Sequence, residues 1–250
     1  ESCQNLTSVP NFGNVTNLYG VFYRCYNLKT VTSLRSVVTS MSRTFWYCSN
    51  LTCATIPANV VDLYGCFEEC TSLTTMPTIP SKVTDMSYCF SNCIKLTSVK
   101  NIPASVTELR SCFEDCIALK SPPNILSSNV DMTSCFENCQ SLTTMPPFPA
   151  NVSYADSCFE NCQSLTTMKN IPANVRYIRY MFRNCKNLKG DIYIFATNYS
   201  WAEVMDFMYN STTYVKNIYV KAGSNTYNAF YGEMGNATYN ANWNAYLKTF

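Results

Sequence analysis

The chain has 250 residues, 14% of them charged, and a formal net charge of +2, so it carries no field to gather nucleic acid or an anionic membrane. It has no histidine and only 7 glycines, which removes Ser-His and Cys-His nucleophiles, histidine metal sites and a glycine-rich phosphate loop. No apolar run approaches a membrane span, and neither an enzyme nor a cofactor is expected.

From the amino terminus onward, a phenylalanine recurs in one short phrase of residues. Phe22, Phe45, Phe67, Phe90, Phe113, Phe136, Phe159 and Phe182 stand 23 apart, with one step of 22 from Phe45 to Phe67. Three residues after each comes a cysteine (Cys25 to Cys185), and three after that a leucine (Leu28 to Leu188). A fixed period of this size marks a repeat architecture, in which each coil buries its apolar face against the next. Cys3 and Leu6 already occupy these columns without their phenylalanine. The chain therefore reads as a fragment or processed product, with earlier coils and an export signal upstream.

Within one coil, Leu73, Met76 and Ile79 are spaced by three, then come Pro80, Val83, Met86, Phe90 and Cys93. Such spacing suits a chain that turns a corner every few residues. The threonine-rich Leu73–Met76 stretch predicts a short strand, stopped by the Ile-Pro step. The segment Ser87–Cys93 predicts about two helical turns. Asn92, Asn138, Asn161 and Asn184, each before a column cysteine, predict left-handed residues that end those turns.

These residues resemble the BspA-like leucine-rich repeat family. Ile102-Pro103-Ala104-Ser105-Val106-Thr107-Glu108-Leu109, followed by Cys112-Phe113-Glu114-Asp115-Cys116-Ile117-Ala118-Leu119, reproduces that family's coil closely. The resemblance runs from about Cys3 to Leu188, though cysteine replaces the usual alanine before the phenylalanine. It implies an α/β leucine-rich-repeat solenoid of short parallel strands and short helical turns, with 22–23 residues per coil over 1–188. It also implies an exported or surface-displayed protein that contacts a protein or glycan on a host or neighbouring cell.

After Leu188 the period dissolves, and 189–250 reads as an α+β cap over the last apolar rung. Asp191–Phe195 and Val215–Val220 predict strands, and Ala222-Gly223-Ser224 a turn. Ser200-Trp201-Ala202-Glu203 is a capping box opening a helix to about Met208. Tyr227–Tyr231 and Tyr239–Leu247 read as helical pieces.

Fifteen cysteines read first as small buried residues stacked in ladders. Zinc held by thiolates of adjacent coils and inter-coil disulfides are the alternatives. Asp62, Asp85, Glu108 and Asp131 form a regular acidic column, read as a solvated edge rather than a calcium site. A hydroxyl stripe (Ser8, Thr30, Thr75, Ser98, Ser121, Thr144, Thr167) follows the strand positions. Two sets carry candidate recognition chemistry. Tyr23, Tyr26, Trp46 and Tyr47 flank the first column phenylalanines as an aromatic group. Arg176, Tyr177, Arg179, Tyr180 and Arg183 form a basic-aromatic patch on one coil, suited to carboxylates or glycans or to docking the cap. A recognition scaffold is expected, with filament or surface-layer assembly through the ends of the stack as the rival.

Overall fold

Successive coils are joined by parallel backbone bridges at one position per coil, from Asn17 through Ser40, Asp62, Asp85 and Glu108 to Asp131, and again at Tyr154 and Tyr177. The computed structural model describes residues 3–9, 13–200, 206–211, 214–226, 228–229 and 247–250. A second row of pairing holds β1 (Thr30–Val31) against β2 (Cys53–Ala54), with bridges at Thr75↔Ser98 and Thr167↔Lys189. A third joins Ile102 to Ile125 and Ile171 to Ile194. Pro103 and Pro172 directly follow the bridging Ile102 and Ile171, removing the next donor and keeping those pairings to a single residue.

The phenylalanine segment is not helical. Its N–H groups alternate between two directions. In one coil Tyr88, Phe90 and Asn92 donate to Arg110, Cys112 and Glu114 of the next coil, while Cys89, Ser91 and Cys93 close tight turns onto Met86, Tyr88 and Phe90. The alternation arises because residues two before and two after the phenylalanine are left-handed, for example Tyr88 and Asn92, both at φ 57°. A helix would direct every N–H back along its own axis; this strip spends half of them on its neighbour. The expected left-handed asparagines are found, at φ 57–60° for Asn92, Asn138, Asn161 and Asn184. Arg24, Tyr47, Glu69 and Asp115 take the same conformation at the same position.

Like residues stack on like. Phe90 and Phe113 lie 5.7 Å apart at 10°, and the whole ring column from Phe22 to Phe182 keeps spacings of 5.4–5.8 Å. All eight rings are buried, as are the leucine and cysteine columns from Leu28 and Cys25 onward. The column cysteines are free thiols. From Cys48 on, each donates to the carbonyl of the phenylalanine in the preceding coil, at 2.9–3.3 Å.

Past Leu188 the turn strip recurs once more, more widely spaced. Asp206 and Asn210 are left-handed. Ser211, 26 residues beyond Cys185, takes the thiol's place and donates from Oγ to the Phe182 carbonyl. Phe207 meets Phe182 edge-on at 5.4 Å and 74°, ending the ring column. Around this sits a parallel sheet of β3 (Lys189–Ile194), β4 (Tyr214–Val220) and β5 (Leu247–Thr249), in the order β3-β4-β5. Two of these strands lie where expected and Gly223, at φ 67°, makes the expected turn. Leu247, expected to end a helix, begins β5 instead, where it pairs with Ile218. The capping box at 200–203 falls mostly outside the described residues, and 206–210 are turns. The helical pieces expected at 227–231 and 239–247 also lie largely outside them.

Candidate functional site

The first coils carry a ridge of rings. Tyr23 lies 4.8 Å from Trp46 and 6.2 Å from Tyr47, and Trp46 lies 5.4 Å from Tyr47. All three are half-buried. Left-handed residues put them there, because turning the backbone at Arg24 and Tyr47 aims the side chains beside the buried phenylalanine away from the core. Two guanidinium groups lie across the rings: Arg24 sits 4.8 Å from Tyr23 and 5.5 Å from Tyr47, and Arg43 sits 4.6 Å from Trp46 and 5.3 Å from Tyr64. Such cation–ring contacts hold flat faces in place while leaving their edges open. Tyr26 makes no ring contact with this group among the described residues; its carbonyl accepts from Asn50 Nδ2 at 2.7 Å.

Gly65 allows the ridge to close. A Cβ there would stand 3.0 Å from Glu68 Oε2 and 3.3 Å from Arg43 Cγ, and its φ is +54°. Arg43 and Glu68 therefore pass over bare backbone. Half-burial holds the Glu68 carboxyl above the ordinary carboxylate range, with the Arg43 charge opposing the rise and Glu69 adding to it.

The second set is divided between two faces. Arg179 is held by Asp156, with Nη2 at 3.0 Å, Nε at 3.3 Å and its backbone N–H at 2.7 Å from the carboxylate. Arg183 lies 3.6 Å from Glu160 and 5.2 Å from the Tyr180 ring. These two cations are spent on pairing with the coil before. Tyr177 stacks on Tyr154 at 4.9 Å and 3°. Arg176 stands apart and exposed, in the lining of a groove that also includes residues 196–199.

The acidic column is a row of turn caps. Asp62, Asp85 and Asp131 accept from the N–H two residues on, at 2.8–2.9 Å, as Asn17 does for Tyr19. Short acceptors closing the turn explain their periodicity. Sequence reasoning missed Arg24, Arg43 and Tyr64 in the ridge, although each lies within two residues of a named column position. It also missed the groove, whose signal was the asparagine recurring before the valine column.

The sequence matches the BspA type leucine rich repeat region in six copies, over residues 1–120 and 112–234. No curated protein is detectably similar in sequence. Among solved structures, a leucine rich cell surface protein from Faecalibacterium prausnitzii A2-165 is 20% identical over 86% of this chain and 79% of its own, with a TM-score of 0.47. A leucine-rich repeat protein from Bacteroides ovatus ATCC 8483 is 16% identical over 98% and 91%, with a TM-score of 0.27. TLR13 in complex with ssRNA13 is 10% identical over 87% and 49%, also at 0.27. With the family match spanning nearly the whole chain, the chain belongs to the BspA-type leucine-rich repeat family.

Proposed function

We propose that this chain is a non-enzymatic recognition scaffold working outside the cell or on its surface, with a protein or glycan as its ligand. The carrying observation is the ridge of Tyr23, Trp46 and Tyr47 under two guanidinium groups. Packing alone does not call for rings there, because the position of Trp46 is filled by Glu68, Ser91, Glu114 and Glu137 in the next four coils. Half-buried rings locked by neighbours lose little freedom on binding, and aromatic and arginine side chains dominate recognition patches.

The test is the double variant Trp46→Ala, Tyr47→Ala, screened against glycan and host-protein arrays beside the parent chain. Capture by the parent and its loss in the variant, with unchanged thermal unfolding, is the expected result. Undiminished capture rejects the ridge, and a parent chain that captures nothing rejects the scaffold reading.

A further inference from the structure

The groove between the last coils and the start of the cap has a composition unlike the ridge. Its volume is about 670 Å³, and its lining includes Asn129, Asn151, Asn174, Asn198, Ser153 and Arg176. The four asparagines occupy equivalent places, each just before the valine column or its successor Tyr199. Coil stacking therefore sets an amide at each step along the groove, about 4.8 Å apart. Asn174 Nδ2 is committed to the Val152 carbonyl at 2.9 Å, which fixes its amide plane. Asn129, Asn151 and Asn198 are exposed. An amide both donates and accepts, as does the Ser153 hydroxyl.

Among the described residues, Arg176 is the one cation of the lining. The other two arginines of its coil are paired with Asp156 and Glu160. Among the described residues, no carboxylate pairs with Arg176.

We propose that this groove binds a saccharide bearing a carboxylate, with the Arg176 guanidinium on the acid and the asparagine row on the hydroxyls. Vicinal hydroxyls suit evenly spaced amides, since each hydroxyl also donates and accepts. A planar guanidinium matches a carboxylate in charge and fork geometry. A phosphate ester, with nearly two charges, would be left half-neutralised by a single arginine. This goes beyond the ridge reading and stands on a different face, so either fails without the other.

The test uses the full chain and titration calorimetry at low salt. The probes are oligogalacturonate, a glucuronate disaccharide and sialyllactose, each beside its methyl ester and a sugar phosphate. At least one acid should bind, with its ester weaker by about tenfold or more, the loss of one charged hydrogen bond. Arg176→Gln should lose the same factor without changing thermal unfolding, whereas Trp46→Ala should leave binding intact. The proposal is overturned by silence from all three acids, by equal binding of acid and ester, by preference for the phosphate, or by full affinity in Arg176→Gln. The acid-to-ester comparison is made on the unaltered chain and does not depend on how any variant folds.

Discussion

A thiol in this core acts as a donor. Cys139 Sγ lies 3.1 Å from the Phe113 carbonyl, and the same bond recurs in each coil from Cys48 to Cys185. Burial away from water disfavours the thiolate, pushing Cys48 up to about 12 and the deeper thiols further. A protonated thiol is the state that donates, so the packing and the protonation agree. At Ser211 a hydroxyl makes the equivalent bond to Phe182. Cys139→Ser should therefore retain about 1 kcal/mol that Cys139→Ala loses, the net value of one hydrogen bond. Urea unfolding of both variants measures the difference. An alanine variant as stable as the serine one would show that the column is filled for volume alone.

At the scale of the element, the turn strip explains both the helical misreading and an edge whose stability falls as pH rises. Glu114, Glu137 and Glu160 occupy the same place in three successive coils, beside Asp115. Desolvation raises the Glu137 carboxyl most; repulsion from Glu160, Glu114 and Asp115 adds to it against a hydrogen bond from Ser134, and the result is about 7. The folded state thus keeps a proton that the unfolded chain releases nearer 4.5. Where the folded state holds more protons, stability falls as pH rises. The chain should be more stable near pH 5 than near pH 7.5, with the decline spread across that window, and Glu137→Gln should shrink it. Thermal unfolding at a series of pH values reads this out; a variant with the parent's slope would remove Glu137 as its source. The columns themselves were legible because burial repeats with the chain: Phe, Cys and Leu must recur where the core recurs. The left-handed residues were legible only where asparagine marks them. At Tyr88, Ser111 or Glu69 the inter-coil bonds impose that conformation, and no residue type announces it. Division of the arginine patch was hidden for a similar reason. Arg179 and Arg183 were spotted by type, but their partners Asp156 and Glu160 lie one coil away and meet them only once the backbone is turned.

For the whole molecule, the stacking has a polarity. In the turn strip each coil donates forward: Phe22 N–H to the Thr44 carbonyl, Arg24 N–H to Trp46, and so on to Phe182 and Asn184, whose N–H groups reach Phe207 and Tyr209 at 2.8 Å. Tyr199 Oη closes onto the Val175 carbonyl at 2.6 Å, and Ile192 and Ile194 are buried. We place the boundary of the cap after Leu188, and a chain ending there would uncover the Phe182 ring together with those donors. At the other end of such a 1–188 chain, the carbonyls of Val21 and Tyr23 hold the places that accept in later coils. One end then donates where the other accepts, a heterologous pairing, and copies that continue the coil-on-coil stacking in register grow end to end. The 1–188 chain should form filaments whose length rises with concentration, visible by light scattering and electron microscopy, while the 250-residue chain scatters less at equal mass. A truncated chain that stays monomeric and unfolds at the parent temperature would mean that 189–250 does not act as a cap. Filaments formed equally well by the full chain would favour end-to-end assembly over the scaffold reading, since the cap would then leave the stack free to grow.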